Sequence, residues 1–291
     1  MPEWVVSSSD SGVKLIVFLK DRLSEKFSSR HLKRLIENNA CQINGRVERF
    51  ASTLLGRGDR ILLTLETSPV SPFFQFEPGR ILFEDDVILA YDKPSGLACE
   101  PKEILTLTKS YHSSLSLVHR LDRYTTGVLL LSKNRETLDY LVGQFKELQV
   151  KKTYQAIVDG LMEKPKGTIE NYLGKIKKIP GQTIWGAVKS AHGLYAYTEW
   201  TCIKKGNGAS LLVCFPKTGR THQIRVHLAG IGHPILGDHQ YGRHFECPYP
   251  ASRYFLHAES IEFHHPVTGK LIKVRSNLPE DFKRAKRELF I

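Results

Sequence analysis

The clearest hydrophobic pattern in the chain is a short apolar run at residues 128–131, Val-Leu-Leu-Leu, with a glycine just before it and a lysine soon after it. An uninterrupted apolar run of this length, bounded in this way, is typical of a buried strand. The segment before it, residues 119–123, reads His-Arg-Leu-Asp-Arg and is strongly polar. We therefore expect a loop at the mouth of a buried strand, where a rigid scaffold presents the carboxylate of Asp122.

Taken alone, Asp122 permits two interpretations. An aspartate between arginines is most often an ordinary loop acid that pairs with a neighbour, here Arg120 or Arg123. An aspartate held at the end of a buried strand can also serve a reaction, because loops on rigid scaffolds commonly carry functional residues. The other motifs of the chain decide between the two.

The first quarter of the chain has the pattern of a small α/β domain, residues 11–66. Its Asn44-Gly45 dipeptide is the strongest short-range signal for a two-residue hairpin turn. The expected elements are a helix through 15–19, a helix through 32–36 capped by Ser28 or Ser29, and strands at 41–43 and 60–65. Residues 67–79 contain three prolines and no periodic pattern, which predicts a linker.

The rest of the chain, residues 80–291, predicts a larger domain that mixes strands and helices. Asn134 can cap a helix whose apolar positions run from Leu138 to Leu148. Strands are expected at 81–83, 87–90, 152–158, 211–215 and 255–258, a short helix with an apolar stripe at 224, 228 and 231, and a helical tail at 281–289. Arg225 is expected at the edge of that stripe. The lysine-rich stretch 163–200 predicts hairpins and loops, and its lysines are either solvated or RNA contacts.

The net charge of +12 favours a polyanionic partner, although a basic chain can also be merely well solvated. The five scattered cysteines form no CxxC pair, which is typical of reduced thiols in a cytoplasmic protein. The first residues lack the pattern of an export signal, and no segment is apolar enough for a membrane span. We expect no metal site.

The N-terminal region resembles the small RNA-binding module named after ribosomal protein S-four. The resemblance rests on Ser29-Arg30 at the second helix and on Ile43-Asn44-Gly45 at the turn. Residues 14–34 also carry seven Lys and Arg against two acids. A solvated basic face is the alternative. The resemblance implies RNA contacts from four residues: Arg30, Lys33, Arg34 and Asn44.

Five ordered motifs give a second and more specific resemblance. They are HRLDRYTTG at 119–127, KTY at 152–154, TGRTHQIRVH at 218–227, GHPILGDHQYG at 232–242 and LHA at 256–258. Together they are similar to the RluA-type pseudouridine synthases. The resemblance implies an α+β fold, in which a mixed, mainly antiparallel sheet with flanking helices carries the site in a central cleft. It also implies that uridine in RNA is isomerised to pseudouridine without a cofactor.

The resemblance assigns three catalytic residues. Asp122 matches the catalytic carboxylate, Arg225 the arginine that keeps it ionised, and Tyr154 the tyrosine that stacks on the target base or relays a proton. The assignment implies that Asp122 pairs with the distant Arg225, while Arg120 faces the RNA. Attack on the sugar, addition to the base and abstraction of a sugar proton all need the same carboxylate, so the sequence leaves the mechanism open.

Five further residues are implied to bind the substrate. Arg120 matches the residue that fills the gap left by the flipped uridine, and Leu256 matches the wall of the uracil pocket. The other three are His119, Arg220 and His222. His222 and His227 are five residues apart and diverge on a helix, which disfavours a joint metal site.

We expect a cytoplasmic, monomeric enzyme that acts on structured RNA, with large-subunit ribosomal RNA as the first choice. Transfer RNA is an alternative substrate. A non-catalytic RNA-binding or ribosome-assembly factor of the same fold is the alternative from another functional class, although Asp122, Tyr154 and Arg225 are all present.

Overall fold

The computed structural model describes residues 2–37, 40–48, 50–64, 74–112, 114–179, 182–242 and 244–290. The chain forms two compact units, Met1–Phe73 and Phe74–Ile291. Within the described ranges no helix is long and apolar enough to cross a membrane.

The first unit packs two helices against a small antiparallel sheet. The helices are α1 (Leu15–Leu23) and α2 (Ser29–Glu37), and the strands lie in the order β1 (Glu3–Val5), β4 (Arg60–Leu63), β2 (Cys41–Ile43) and β3 (Arg46–Glu48). Ser28 caps α2, because its Oγ accepts the N–H of His31 at 3.2 Å. Asn44 and Gly45 form the predicted turn, with φ of 53° and 77°. The core is built from residues such as Leu15, Phe18, Leu32 and Ile36.

A large sheet dominates the second unit. Its strands, within the described residues, are β5 (Ile81–Glu84), β6 (Ile88–Lys93), β7 (Ser116–Leu117), β8 (Thr126–Ser132), β9 (Lys151–Asp159), β10 (Lys166–Ile179), β11 (Gln182–Val188), β12 (Leu194–Gly206), β13 (Ala209–Pro216), β14 (Leu256–His264) and β15 (Leu271–Arg275). The spatial order is β11-β10-β12-β13-β9-β14-β8-β6-β5, with β15 on β14 and β7 on β8.

Strands β8 and β14 are parallel, whereas the other described pairs of this sheet are antiparallel. The parallel pair brings Thr126 beside His257 and Gly127 beside Ala258. Gly127 has φ of 110°, and a Cβ at this position would lie 2.1 Å from the carbonyl oxygen of Ala258. Only glycine fits this close approach. The predicted α+β class with a mixed, mainly antiparallel sheet is confirmed.

Four helices in the described part flank the sheet: α3 (Pro101–Thr108), α4 (Arg135–Lys146), α5 (Gln223–Gly230) and α6 (Glu280–Leu289). Asn134 caps α4 as predicted, since its Oδ1 accepts the N–H of Thr137 at 2.9 Å. Ile231 was expected in the apolar stripe of α5, but it lies beyond the helix end and is exposed.

The predicted linker is described only in part, because residues 67–73 lie outside the described ranges. Residues 74–79 belong to the second unit. There Phe76 stacks on Tyr91 and Tyr111, with ring centroids 5.0 and 4.3 Å away. Strand β8 lies deeper in the same unit, with all seven residues buried. The loop that carries Asp122 therefore leads into a strand that is buried along its whole length.

Candidate active site

The loop before β8 is fastened to the scaffold through its backbone. Leu121 is buried, and its N–H donates to Sγ of Cys99 at 3.4 Å. The carbonyl oxygen of Asp122 accepts the N–H of Thr125 at 3.0 Å, which closes a turn. These contacts fix the backbone on both sides of the Asp122 side chain.

Lys93, at the end of β6, provides a second anchor. Its Nζ donates to the carbonyl oxygens of Pro94, Leu97 and Arg123 at 2.8–2.9 Å. The side chain is fully buried, and burial lowers the pKa of Lys93 to about 8. The ammonium thus ties the turn after β6 to the loop that carries Asp122.

The Asp122 carboxylate faces two groups from α5 and its N-cap. Nη1 of Arg225 lies 3.3 Å from Oδ2, and Nε2 of His222 lies 3.9 Å from Oδ1. The side chain of Asp122 is 25% exposed. Arg123 instead lies 4.0 Å from Glu103, and Arg120 is exposed. The expected ion pair between Asp122 and Arg225 is present.

Arg225 is held in a single position by four neighbours. Asp238 accepts from Nε at 2.6 Å and from Nη2 at 2.9 Å, and Gln240 accepts from Nη2 at 2.8 Å. The guanidinium carbon lies 4.3 Å from the ring centroid of Tyr254 and 4.9 Å from that of Tyr241. Burial opposes the charged form, but the ion pair with Asp238 outweighs it and raises the pKa of Arg225 above its ordinary value. A permanent cation therefore stands beside Asp122.

Arg225, which was expected at the edge of the α5 stripe, is only 4% exposed and is therefore buried more completely than the helical pattern indicates. A fork that satisfies both oxygens of Asp238 removes the need for water around the guanidinium. Asp238 lies in a loop 13 residues further along the chain, so local helical periodicity does not indicate this pairing.

Tyr154 and Leu256 lie on neighbouring strands. Tyr154 of β9 pairs with Ala258 of β14, and Leu256 pairs with Ala156. Tyr154 packs against two apolar clusters, one of which includes Leu256. Burial, followed by the negative charge of Asp122, raises the pKa of Tyr154 above its ordinary value. Its hydroxyl therefore keeps its proton at neutral pH.

Two of the residues expected to bind substrate make contacts within the fold. Nε2 of His119 accepts the N–H of Leu130 at 3.1 Å, and the ring stacks on Phe145 at 5.0 Å. Burial lowers the pKa of His119 to about 3, so the imidazole is neutral. Arg220 donates from Nε to the carbonyl oxygen of Tyr195 at 2.8 Å. Roles for both in substrate binding remain predictions.

His222 is the N-cap residue of α5 and has a left-handed backbone, with φ of 56°. Its Nδ1 lies 2.6 Å from the hydroxyl oxygen of Tyr241. Burial lowers the pKa of His222 to about 4. A neutral imidazole thus lies between Tyr241 and the carboxylate of Asp122.

In the first unit, Arg30 and Lys33 are exposed on α2, whereas the side chain of Arg34 lies outside the described residues. The Asn44 side chain donates to Oδ1 of Asp59 and accepts the N–H of Arg60, both at 2.8 Å. Asn44 therefore ties its turn to β4, and an RNA contact from this residue remains a prediction.

Sequence reasoning missed five residues around Asp122: Lys93, Cys99, Asp238, Gln240 and Tyr241. The last three lie in the motif GHPILGDHQYG, which supports the family resemblance but does not by itself indicate a role for each residue. Across the described ranges, no group of His, Cys, Asp and Glu side chains is arranged to hold a metal ion.

Known proteins share both the sequence and the fold. Residues 87–230 match the profile of the family described as RNA pseudouridylate synthase. An uncharacterized RNA pseudouridine synthase of Aquifex aeolicus is 32% identical over 281 residues, which cover 88% of each chain. Ribosomal large subunit pseudouridine synthase D of Nitrosomonas europaea is 37% identical over 222 residues, covering 70% of this chain and 63% of the relative.

Among solved structures, human RNA Pseudouridylate Synthase Domain Containing 4 is similar with a TM-score of 0.60 and 25% identity. The match covers 72% of this chain and 92% of the human chain. The segment that matches the family profile carries Asp122, Tyr154 and Arg225, and the relative of 32% identity spans most of the chain. The chain therefore belongs to the RNA pseudouridylate synthase family.

Proposed function

We propose that this enzyme converts specific uridines of large-subunit ribosomal RNA to pseudouridine, with Asp122 as its catalytic carboxylate. The single observation that carries the catalytic assignment is the ion pair of 3.3 Å between Asp122 and a buried, fully fixed Arg225. Support for the RNA class comes from relatives named ribosomal large subunit pseudouridine synthase, one of them 37% identical.

The reaction breaks the bond between the ribose C1′ and N1 of uracil, and forms a bond between C1′ and C5. C5 loses one proton and N1 gains one, so atoms and electrons balance without a co-reactant. The chain must supply a negative group near the sugar, a surface that retains the freed base and a route for the proton. Residues near the N-terminal end of β8 are candidates for each of these three roles.

Asp122 meets the first need because its carboxylate lies 3.3 Å from the guanidinium of Arg225, an opposite charge at close range. The carboxylate is partly exposed, so a substrate can reach it while Arg225 remains covered. The cation is held by Asp238 and Gln240 rather than by solvent, so little reorganisation is needed when charge develops. Attack on the sugar, addition to the base and proton abstraction all remain consistent with this geometry.

Tyr154 and Leu256 meet the second need. The tyrosine ring offers a stacking surface for uracil, an interaction typically worth about 1–3 kcal/mol per base. Its protonated hydroxyl can also donate or relay a proton. Leu256 forms the apolar wall beside it, and the exposed Arg120 fills the space in the RNA that the flipped uridine leaves. His119, Arg220 and His222 complete the substrate-binding set.

The first unit contributes RNA binding in this proposal. The unit of residues 1–73, predicted over 11–66, serves as an S-four-like RNA-binding domain, and the unit of residues 74–291, predicted over 80–291, carries the catalysis. Arg30, Lys33, Arg34 and Asn44 contact the RNA from the first of these. The enzyme acts as a monomer in the cytoplasm, a compartment in which its five free cysteines stay reduced.

An Asp122→Asn variant tests the catalytic assignment. We expect it to fold and bind RNA normally, but to release tritium from RNA labelled at uracil C5 at least about a thousandfold more slowly, because the required negative charge is lost. The matched control is Asp139→Asn on α4, an exposed carboxylate paired with Arg135. Tritium release and melting temperature are measured for both variants.

Full activity of Asp122→Asn would overturn the assignment. The substrate is tested separately, by mapping pseudouridines in total RNA from cells with and without the gene. Loss of sites in large-subunit ribosomal RNA supports the proposal, and loss in transfer RNA moves the substrate there. An unchanged map, together with retained RNA binding, identifies a non-catalytic binding factor instead.

A further inference from the structure

Strand β11 lies at one end of the large sheet, and its outer edge is covered by two consecutive side chains. Nε2 of Gln240 donates to the carbonyl oxygen of Thr183 at 3.0 Å. The N–H of Trp185 donates to the hydroxyl oxygen of Tyr241 at 3.3 Å. Gln240 and Tyr241 thus occupy positions along β11 where a further strand would bond.

The same two side chains reach the active site with their other polar atoms. Oε1 of Gln240 accepts from Nη2 of Arg225 at 2.8 Å, and the Tyr241 hydroxyl lies 2.6 Å from Nδ1 of His222. Arg225 and His222 face the two different oxygens of Asp122. The Gln240–Tyr241 bridge therefore joins the backbone of β11 to both groups that flank the carboxylate.

The hydrogen bonds of Tyr241 also favour a proton on Nε2 of His222 over a proton on Nδ1. Burial raises the pKa of Tyr241 to about 12, so the phenol is protonated, and its oxygen already accepts the N–H of Trp185. Its own proton is then available to Nδ1 of His222. The pKa of His222 is lowered to about 4, so the ring is neutral, and with Nδ1 as the acceptor its one proton is placed on Nε2, which faces Asp122.

The hairpin that ends in β11 has the chemistry of an RNA-binding element. Residues 171–189 contain four lysines and no acid. Lys175, Lys177 and Lys178 are exposed on β10, and Nζ of Lys175 lies 5.7 Å from the ring centroid of Trp185. A cluster of lysines without acids attracts phosphates, and a partly exposed tryptophan offers a stacking surface.

We propose that Gln240 and Tyr241 are positioning residues that hold Arg225 and His222 against Asp122, and that they connect this group to an RNA-binding hairpin, residues 171–189. The inference rests on the proposed function, because it assumes RNA as the substrate. The hairpin lysines bind the RNA backbone. The Gln240–Tyr241 bridge holds the Asp122 carboxylate at a fixed position relative to the RNA that the lysines bind. Binding and chemistry then depend on different residues of one connected structure.

The test uses the full-length enzyme under single-turnover conditions, with C5-tritiated large-subunit ribosomal RNA transcript as the probe. Tyr241→Phe keeps the ring beside Arg225 and removes only the hydroxyl. We expect a fall of about tenfold to a hundredfold in the rate at saturating enzyme, with an unchanged Kd for RNA. Gln240→Met, which keeps the side-chain length and removes both polar atoms, has the same expected result. Tyr140→Phe on the exposed face of α4 is the control.

A triple variant, Lys175→Gln with Lys177→Gln and Lys178→Gln, tests whether the hairpin binds RNA. We expect a higher Kd, a salt slope of log Kd reduced by about two to three, and an unchanged saturated rate. Nitrogen NMR of the histidines reports which nitrogen of His222 carries the proton, a property that would not change if Tyr241 only stabilised the fold. We expect Nδ1 of His222 to be unprotonated in the wild type, whereas in Tyr241→Phe the proton distributes between both nitrogens.

The outcomes separate this inference from the proposed function. If the wild type releases tritium and Tyr241→Phe and Gln240→Met keep its saturated rate, the inference fails while the function stands. If the lysine variant keeps the wild-type Kd, the hairpin is not an RNA contact and that part of the inference is overturned. If the wild type releases no tritium from any RNA, the proposed function fails and the inference falls with it. If Tyr241→Phe has a lowered melting temperature, it is judged by the His222 signature, which must change for the inference to hold.

Discussion

At the scale of single residues, the site depends on charges that the fold buries and then compensates in different ways. Arg225 receives a matching carboxylate from Asp238, which keeps it charged. Lys93 receives backbone carbonyls, which carry only partial charges, and burial lowers its pKa accordingly. The two cations thus have different sensitivities to pH, although both serve the loop of Asp122.

Lys93 makes stability depend on pH in a predictable direction. Its pKa falls from 10.5 to about 8 on folding, so between these values the unfolded chain holds a proton that the folded chain has released. The free energy of unfolding contributed by this site therefore rises with pH across that window. A Lys93→Met variant has no such proton. The difference in free energy of unfolding between wild type and variant should therefore grow by up to about 3 kcal/mol as the pH rises across that window.

Denaturant unfolding of both proteins at several pH values across that window measures the difference. Lys146→Met, at an exposed position of α4, controls for the loss of one positive charge. A deficit of Lys93→Met that stays constant with pH would show that the Lys93 ammonium is not destabilised by burial.

At the scale of elements, sequence predicts well what local contacts decide. The start of α4 follows from Asn134, which caps a helix with its own side chain. The turn at Asn44 follows from its tolerance of positive φ. Strand β8 follows from its continuous apolar run, since both of its faces are buried.

Features that depend on distant partners were not predictable in this way. Arg225 is buried because Asp238 meets it from another loop, and nothing in the helical pattern indicates that partner. The hairpin of β10 and β11 lacks a clear alternating pattern, because residues 175–178 are all exposed. Within the site, family resemblance predicted the pair of Asp122 and Arg225. The contacts of Lys93 and the Gln240–Tyr241 bridge could be recognised only in the folded structure.

A substitution at Gly127 tests the close approach of β8 and β14. A Gly127→Ala variant places a Cβ about 2 Å from the Ala258 carbonyl oxygen, at a φ that side chains rarely adopt. We expect a loss of about 3 kcal/mol or more in the free energy of unfolding, measured by denaturant titration. Gly143→Ala in α4 meets open space, so it should stabilise the chain by about 0.5–1 kcal/mol. A stability of Gly127→Ala equal to wild type would disprove the close approach of the two strands.

At the scale of the whole molecule, a net charge of +12 supplies attraction to RNA that is independent of sequence. The basic residues of α2 and of the β10–β11 hairpin belong to different compact units. Affinity and chemistry should therefore respond separately to substitutions in the first unit.

A double variant, Arg30→Gln with Lys33→Gln, tests that separation. We expect weaker RNA binding, with a salt slope of log Kd reduced by about two, and an unchanged saturated rate of tritium release. The charge-matched control is Arg135→Gln with Lys146→Gln on α4. Equal losses of affinity in both double variants would attribute the effect to net charge and not to α2.

The place of β14 in the sheet has a consequence for the order in which the enzyme becomes active. This strand comes late in the chain, yet it lies between β9 and β8 and carries Leu256, the proposed wall of the uracil pocket. During synthesis, the segment with Asp122 leaves the ribosome well before its neighbouring strand exists. A nascent chain therefore carries its carboxylate without a finished pocket, and the proposed catalytic surface is complete only when β14 has been inserted between strands that were made earlier.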